Sequence, residues 1–177
     1  FTVSSIMSTT GFSTANFDAW PEFSRIVLVF LMFTGGCAGS TCGGIKVSRI
    51  IIMVKNAVNE VRRLVHPRSV SVILVDGKRL PEETLQGVNS FMLIYIIVAL
   101  ASILLVSLDN FDTTSTVTAV IATLNNIGPG LNLVGATGNY AAFSALSKIV
   151  MCLDMLFGRL ELFPMLILLT PGTWRKK

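Results

Sequence analysis

Between Val88 and Leu108 the chain reads VNSFMLIYIIVALASILLVSL, 21 residues without one charge. At about 1.5 Å per residue a helix of that length crosses the roughly 30 Å hydrocarbon core of a bilayer. Peptide groups inside that layer have no water to bond to, and a charge-free run of this length satisfies them as a helix. The composition agrees: 52% of residues are hydrophobic, only 14% are charged, and mean hydropathy is +0.71. The sequence therefore predicts an all-α membrane protein. A second apolar stretch, Phe143 to Thr170, carries three ionisable residues, Asp154, Arg159 and Glu161. A shorter run, Ile26 to Phe33, leads into a glycine-rich segment.

Basic residues set the orientation. Lys46, Arg49, Lys55, Arg62, Arg63, Arg68, Lys78 and Arg79 fall between the first hydrophobic region and the Val88 span, and the sequence closes on TWRKK. By the positive-inside rule residues 46–87 and the C-terminus are cytoplasmic, and the connection holding Asp109 and Asp112 faces outside. Topology and contact with membrane lipid account for the net charge of +4, which leaves a nucleic-acid reading nothing to explain. Within the basic loop, SVSVILVDGKRLPEE has a β-branched run, Asp76-Gly77 and a polar return, the pattern of a small hairpin. Cys37, Cys42 and Cys152 suit neither a disulfide framework nor a zinc site and read as small packing residues.

The outward connection, DTTSTVTAVIATLNNIGPGLNLVG, is too long and too apolar at Val117 to Leu124 for a plain loop. It predicts a helix from about Thr113 to Leu124 with Asp112 or Thr113 as its N-cap. At roughly 18 Å such a helix is too short to cross the membrane, so it dips in and returns. Gly128, Pro129 and Gly130 end it and leave extended backbone with free carbonyls, tolerated at membrane depth only against protein or water. The helix C-terminus also offers about half a negative charge to a cation.

A repeat supports this. FSRIVLVFLMFTGG from Phe23 aligns with LSKIVMCLDMLFGR from Leu146 at a constant offset of 123, pairing Gly35 with Gly158. Upstream of each lies a polar turn with glycine, STTGF around Gly11 and NNIGPG around Gly128. The unit is a span, a half-length re-entrant helix, a filter-like turn and a second span. Residues 1–54 then form the second half of one pore repeat, 55–87 a basic linker and 88–177 a complete repeat, and the sequence is expected to be a piece of a longer protein.

STTGF, GGCAGSTCGGIKVSR, NNIGPGLN and GRLELFPMLILLTPGTWRK occur in that order. With them the sequence resembles the Trk, Ktr and HKT superfamily of potassium transporters, and within it the TrkH-type membrane subunits, over nearly the whole chain. The resemblance implies potassium-channel-like pseudo-repeats, four non-identical ones around one axis, and a homodimer. It also implies a cytoplasmic nucleotide-binding regulatory subunit with RCK domains, of the TrkA type. Potassium uptake across the cell inner (plasma) membrane follows from it, with K+ as the transported ion, no organic cofactor and no catalysis. It sets K+ against backbone carbonyls of Thr9, Thr10, Gly11 and Phe12 and of Asn126, Ile127, Gly128 and Pro129. Those of Thr10, Gly11, Ile127 and Gly128 come foremost, in place of part of the hydration shell. Departure from the TVGYG pattern of tetrameric channels implies looser selectivity.

Gly35 to Gly44 holds five glycines with Ser40 and Thr41, enough to break a helix at mid-membrane. Close helix packing through small residues is one reading. The other, which the resemblance supports, is a mobile gate made by Gly35, Gly36, Gly39, Ser40, Thr41, Gly43 and Gly44. A phosphate-binding P-loop fails, because Ile45 stands where lysine is required and no strand precedes it. Arg159 aligns with Gly36, and an intramembrane arginine is costly unless paired or hydrated. It reads as a positive barrier facing the loop, or as the partner of Glu161 or Asp154; Asp154 is also a candidate cation site. An intramembrane serine protease using Ser40 lacks a base, since His66 lies outside the membrane beside Pro67. A non-transporting scaffold is the alternative to a transporter.

Overall fold

The uncharged run lies inside α4, Glu82–Val106, which a single turn of tighter helix prolongs over Ser107–Asp109. This is a computed structural model describing residues 1–37, 39–40, 42–66, 73–75 and 77–160. The readings made for Thr41, for Glu161 and for the remainder of the last span and the C-terminus lie outside the described residues. Among those described, Glu82–Asp109 is the helix long and apolar enough to cross a membrane. Pro81 stands at its N-cap and Glu82 and Glu83 in its first turn, where the helix dipole favours negative charge. Leu93, Ile96, Ile97, Leu100 and Leu104 are exposed along one side, while Phe91, Tyr95, Ser102 and Val106 are buried on the other. One face therefore suits lipid and the other protein.

The short helix α5 runs Thr113–Leu124, as the sequence predicts, with Asp112 as its N-cap accepting from the Ser115 N–H at 3.0 Å. It packs against α2 (Glu22–Phe33), α4 and α6 (Ala145–Leu160), so almost every residue from Ser115 onward is buried. Hydroxyls in such a place need partners. Thr118 Oγ1 donates to the Thr114 carbonyl at 2.7 Å and Thr123 Oγ1 to that of Ala119 at 2.9 Å, which makes a threonine-rich helix tolerable in an apolar setting. One side packs Ile121 with Ile6, Phe17, Leu28 and Met32; the other packs Ala119 and Val120 with Val106, Val134 and Met151.

The repeat is visible in the backbone. Helices α2 and α6 begin at Glu22 and Ala145, the same offset of 123 that aligns their sequences. They then diverge: α2 stops at Phe33, whereas α6 continues through Gly158 to Leu160. After α2 the chain loops from Thr34 to Lys46 and resumes as α3, Val47–Val65. The basic segment ends in the expected hairpin, β1 (Leu74–Val75) pairing antiparallel with β2 (Lys78–Arg79). A six-residue helix, α1 (Thr2–Met7), opens the chain.

A polar cluster binds the two repeats at the end away from the basic loop. Arg25, paired with Glu22 at 3.0 Å, donates to Asn132 Oδ1 at 2.7 Å. Asn132 in turn donates its N–H to Asp18 at 2.9 Å and its amide to Asp112 at 3.0 Å. Hydrogen bonds from Ser115, hydroxyl first and then backbone, hold the Asp112 carboxyl below the usual carboxylate range, with a smaller contribution from Asn132. A carboxylate depressed in the folded state contributes stability above its unfolded value of about 3.9 and loses it as pH falls through the lower folded value. Asp112→Ala is expected to cost about 1 kcal/mol, the usual worth of an N-cap. Melting of the full-length protein should show that difference at neutral pH and its disappearance in strong acid.

Candidate functional site

Two short helices end in the same turn. After α1 the N–H groups of Ser8, Thr9, Thr10 and Gly11 donate to the carbonyls of Ser4, Ile6, Ser5 and Ser5. After α5 those of Asn125, Asn126, Ile127 and Gly128 donate to Ile121, Thr123, Ala122 and Ala122, the identical scheme shifted by 117 residues. The left-handed residues repeat as well: φ is +54° at Thr9 and +76° at Gly11, +56° at Asn126 and +97° at Gly128. Glycine has a reason at the second position, since that backbone region is open to it at no steric cost. Gly11 has a second reason, because a β-carbon there would collide with the Ile127 carbonyl and come within 3.1 Å of Pro129 Cδ. The two turns thus touch, and Thr9, Thr10, Asn126, Ile127 and Gly128 line one cavity of about 580 Å³.

Side chains hold the far ends of both turns. Ser5 Oγ donates to the Phe12 carbonyl at 2.6 Å, and the Tyr140 hydroxyl donates to the Gly128 carbonyl at 2.6 Å. The near end rests on Asn125, fully buried at the C-terminus of α5. Its Oδ1 accepts from the Tyr95 hydroxyl at 2.8 Å and its Nδ2 donates to the Ile121 carbonyl at 2.9 Å. Gly158 lets α6 press against the same point: a β-carbon there would strike the Leu124 carbonyl and stand 2.7 Å from Asn126 Nδ2. Asn126 Nδ2 donates to the Met155 carbonyl at 3.0 Å.

The glycine-rich loop lies below. Gly35 N–H donates to Ile45 O at 2.8 Å, Ile45 N–H to Phe33 O at 3.3 Å and Val47 N–H to Gly36 O at 3.3 Å, so the loop closes on its own neck. Its rim touches both turns. Cys42 Sγ donates to the Ser8 carbonyl at 3.3 Å. Gly43 packs on the Asn125 carbonyl and Gly44, φ +76°, on Asn125 Oδ1, both closer than a β-carbon would permit. Lys46 is 8% exposed, and its ammonium donates to the carbonyls of Ser40 and Cys42, which free loop backbone would otherwise leave unmet.

Arg159 reaches this loop. With Ser40, Lys46 and Arg49 it lines a small cavity of about 80 Å³, where Arg49 also sits 4.0 Å above the Phe91 ring. Asp154, the other partner considered for it, turns elsewhere: its Oδ1 accepts from Ser102 Oγ at 2.7 Å. Gly35, Gly36, Ser40, Gly43, Gly44 and Arg159 thus belong to one assembly, as do the two turns above it, whereas Gly39 faces open space.

The chain as a whole matches known proteins. A family model described as TrkH, cation transport protein, covers residues 1–173. The chain belongs to the TrkH family. It is 42% identical over 176 residues to the Trk system potassium uptake protein TrkH of Salmonella typhimurium, covering 99% of this chain and 36% of that protein. Identity is 44% over 175 residues to the corresponding protein of Vibrio parahaemolyticus, with the same coverage. The crystal structure of the potassium transporter TrkH from Vibrio parahaemolyticus superposes with a TM-score of 0.85 at 43% identity, over 96% of this chain and 36% of that one. The chain spans about a third of the length of these relatives. TrkH membership makes it an all-α membrane protein.

Three TrkH residues around the site escaped sequence reasoning, although one signal pointed at two of them. The chain has two tyrosines, Tyr95 in an apolar span and Tyr140 after the second turn, and a tyrosine hydroxyl in apolar surroundings needs an acceptor. Both find theirs on the filter-like turn or its base. Lys46, which the sequence reads as an orientation residue, holds the loop. The loop seating generates a test. Gly43→Ala should force the loop off Asn125 at a cost of about 1–3 kcal/mol, raising the unseated fraction by roughly fivefold to a hundredfold. With Cys37 and Cys152 replaced by serine in the full-length protein, thiol labelling of Cys42 should accelerate accordingly.

Proposed function

We propose that this chain supplies two adjoining walls of the pore of a potassium uptake system in the cell inner membrane. Residues 1–54 are the second half of a third pore repeat, 55–87 a cytoplasmic linker and 88–177 a complete fourth repeat, with the remaining walls contributed by the rest of the protein. The observation carrying this is the duplicated turn: the same hydrogen-bond scheme and the same pair of left-handed residues, twice, side by side. Alternating left- and right-handed backbone turns successive carbonyls to one side, which is what replaces an ion's hydration shell in a filter. Thr9, Thr10, Gly11, Phe12, Asn126, Ile127, Gly128 and Pro129 are its residues. The carbonyls of Phe12 and Gly128 already accept from Ser5 and Tyr140, so an ion there shares them with a hydroxyl.

The loop from Gly35 to Gly44, with Arg159, is the gate. It lies against the base of both turns, and Arg159, Lys46 and Arg49 make its surroundings positive. Uptake coupled to Na+ or H+, a regulatory RCK-domain subunit on the cytoplasmic side and a homodimer complete the reading. The homodimer has a surface available in α3. There Val47, Ile51, Val54, Val58, Val61 and Val65 are all exposed at alternating spacings of four and three, the pattern of a helix seam.

In the full-length protein Gly128→Asp should abolish rubidium uptake while membrane insertion is retained, because a side chain and a charge enter the narrowest point. Normal uptake by that variant would sink the filter. Deleting Gly39 to Gly43, or changing Arg159→Ala, should raise basal flux in liposomes. A unit charge about 6 Å from K+ at an effective dielectric of about 20 opposes it by roughly 3 kcal/mol. Because the Arg159 side chain is exposed, hydration cuts that figure, and about a tenfold rise is expected. Unchanged flux with a lowered Tm would make the loop and Arg159 packing elements only.

A further inference from the structure

Asp154 has no part in the filter or the gate, yet it is the most deeply buried ionisable group among the described residues, at 2% exposure in α6. Its Oδ1 meets Ser102 Oγ of α4 at 2.7 Å, and its Oδ2 has no hydrogen-bond partner among the described residues. We propose that Asp154 is a proton-binding site, a carboxyl kept neutral between α4 and α6 with Ser102 as its hydrogen-bond partner.

Among the described residues, the surroundings offer no other way of accommodating a carboxylate. From α4, Val88 to Leu108 contributes no charge, and the ionisable group facing Asp154 is the Tyr95 phenol, committed to Asn125. From α5, Thr113–Leu124 contains no ionisable side chain. On α6 itself the basic residues are Lys148, six positions earlier, and Arg159, five later. At 3.6 residues per turn these lie about 120° and 140° around the helix from Asp154, and hence on other faces. Lys148 donates to the Ala141 carbonyl at 2.9 Å, and Arg159 lines the loop cavity. An alkali or divalent ion needs a shell of oxygens, and one carboxyl with one hydroxyl does not make one. No group of three or more metal-ligating side chains occurs among the described residues.

An ionised carboxylate with a single hydrogen bond and an empty oxygen is among the costliest things to bury. A proton removes the charge, lets the acid donate to Ser102 Oγ and leaves Oδ2 as an ordinary carbonyl oxygen. The hydroxyl then donates to a helix carbonyl one turn back, as serines in apolar helices do. Releasing the proton requires water or a cation at the α4–α6 contact, so the site reports on whether those helices are closed. This holds whether or not the duplicated turns conduct ions.

The test uses the full-length protein in lipid. Infrared difference spectra between wild type and Asp154→Asn at neutral pH should show a protonated-carboxyl stretch that the variant lacks. Ser102→Ala, which keeps the acid, should shift that band to higher frequency. Raising the pH should remove the band and lower the Tm of wild type while leaving the Tm of Asp154→Asn unmoved. If Asp154→Asn fails to fold, the Ser102→Ala shift decides alone, and no shift overturns the proposal. A carboxylate band for Asp154 at neutral pH would overturn it too, showing that the rest of the protein brings the acid a cation.

Discussion

A chain that stops being helical inside a hydrocarbon layer must find partners for every peptide group it frees, and most of this structure answers that demand. The helices satisfy themselves. The three places where they stop, after α1, after α5 and after α2, are closed by backbone hydrogen bonds from the turn to the last carbonyls of the helix or from one side of a loop neck to the other. What those bonds leave over is taken by side chains brought in for the purpose: Ser5 on Phe12, Tyr140 on Gly128, Lys46 on Ser40 and Cys42. These polar side chains stand where backbone would otherwise be left unpaired.

Glycine does the complementary task. At Gly11, Gly43 and Gly158 it is the absence of a side chain that matters, since in each case a neighbour's carbonyl occupies the space a β-carbon would take. Three separate segments thereby converge on the few residues from Leu124 to Ile127 at the end of α5. That helix is too short to span a membrane, but its buried end is where turn, loop and last helix meet.

The limits of α5, its Asp112 cap and the small hairpin were legible in the sequence, because each rests on local signals: an N-cap residue, a glycine stop, a β-branched run before Asp-Gly. The repeat was legible too, through the matched stretches at Phe23 and Leu146, and it correctly placed two similar turns ahead of two similar helices. It could not show that the second copy stays helical where the first breaks. Gly35 and Gly158 occupy equivalent positions, and the difference lies in the four further glycines that follow only Gly35 before Ile45. Nor could it reveal what Asn125, Tyr95 and Tyr140 bond to, since those contacts join residues far apart in the chain. Arg159 lines a cavity with Ser40, Cys42 and Gly44 of the loop, whereas Asp154, on another face of the same helix, meets Ser102.

The seating of the loop on Asn125 and Ser8 has a consequence for energetics. Since Cys42 bonds the Ser8 carbonyl, and Gly43 and Gly44 pack on Asn125, the loop cannot leave without changing the bases of both turns. Linkage between two such sites is reciprocal: whatever free energy the seated loop contributes to the shape of the turns, the occupant of the turns must return to the loop. On the proposed function, a cation held in the turns would itself be an effector of the loop below, and its concentration would set how often the loop lifts.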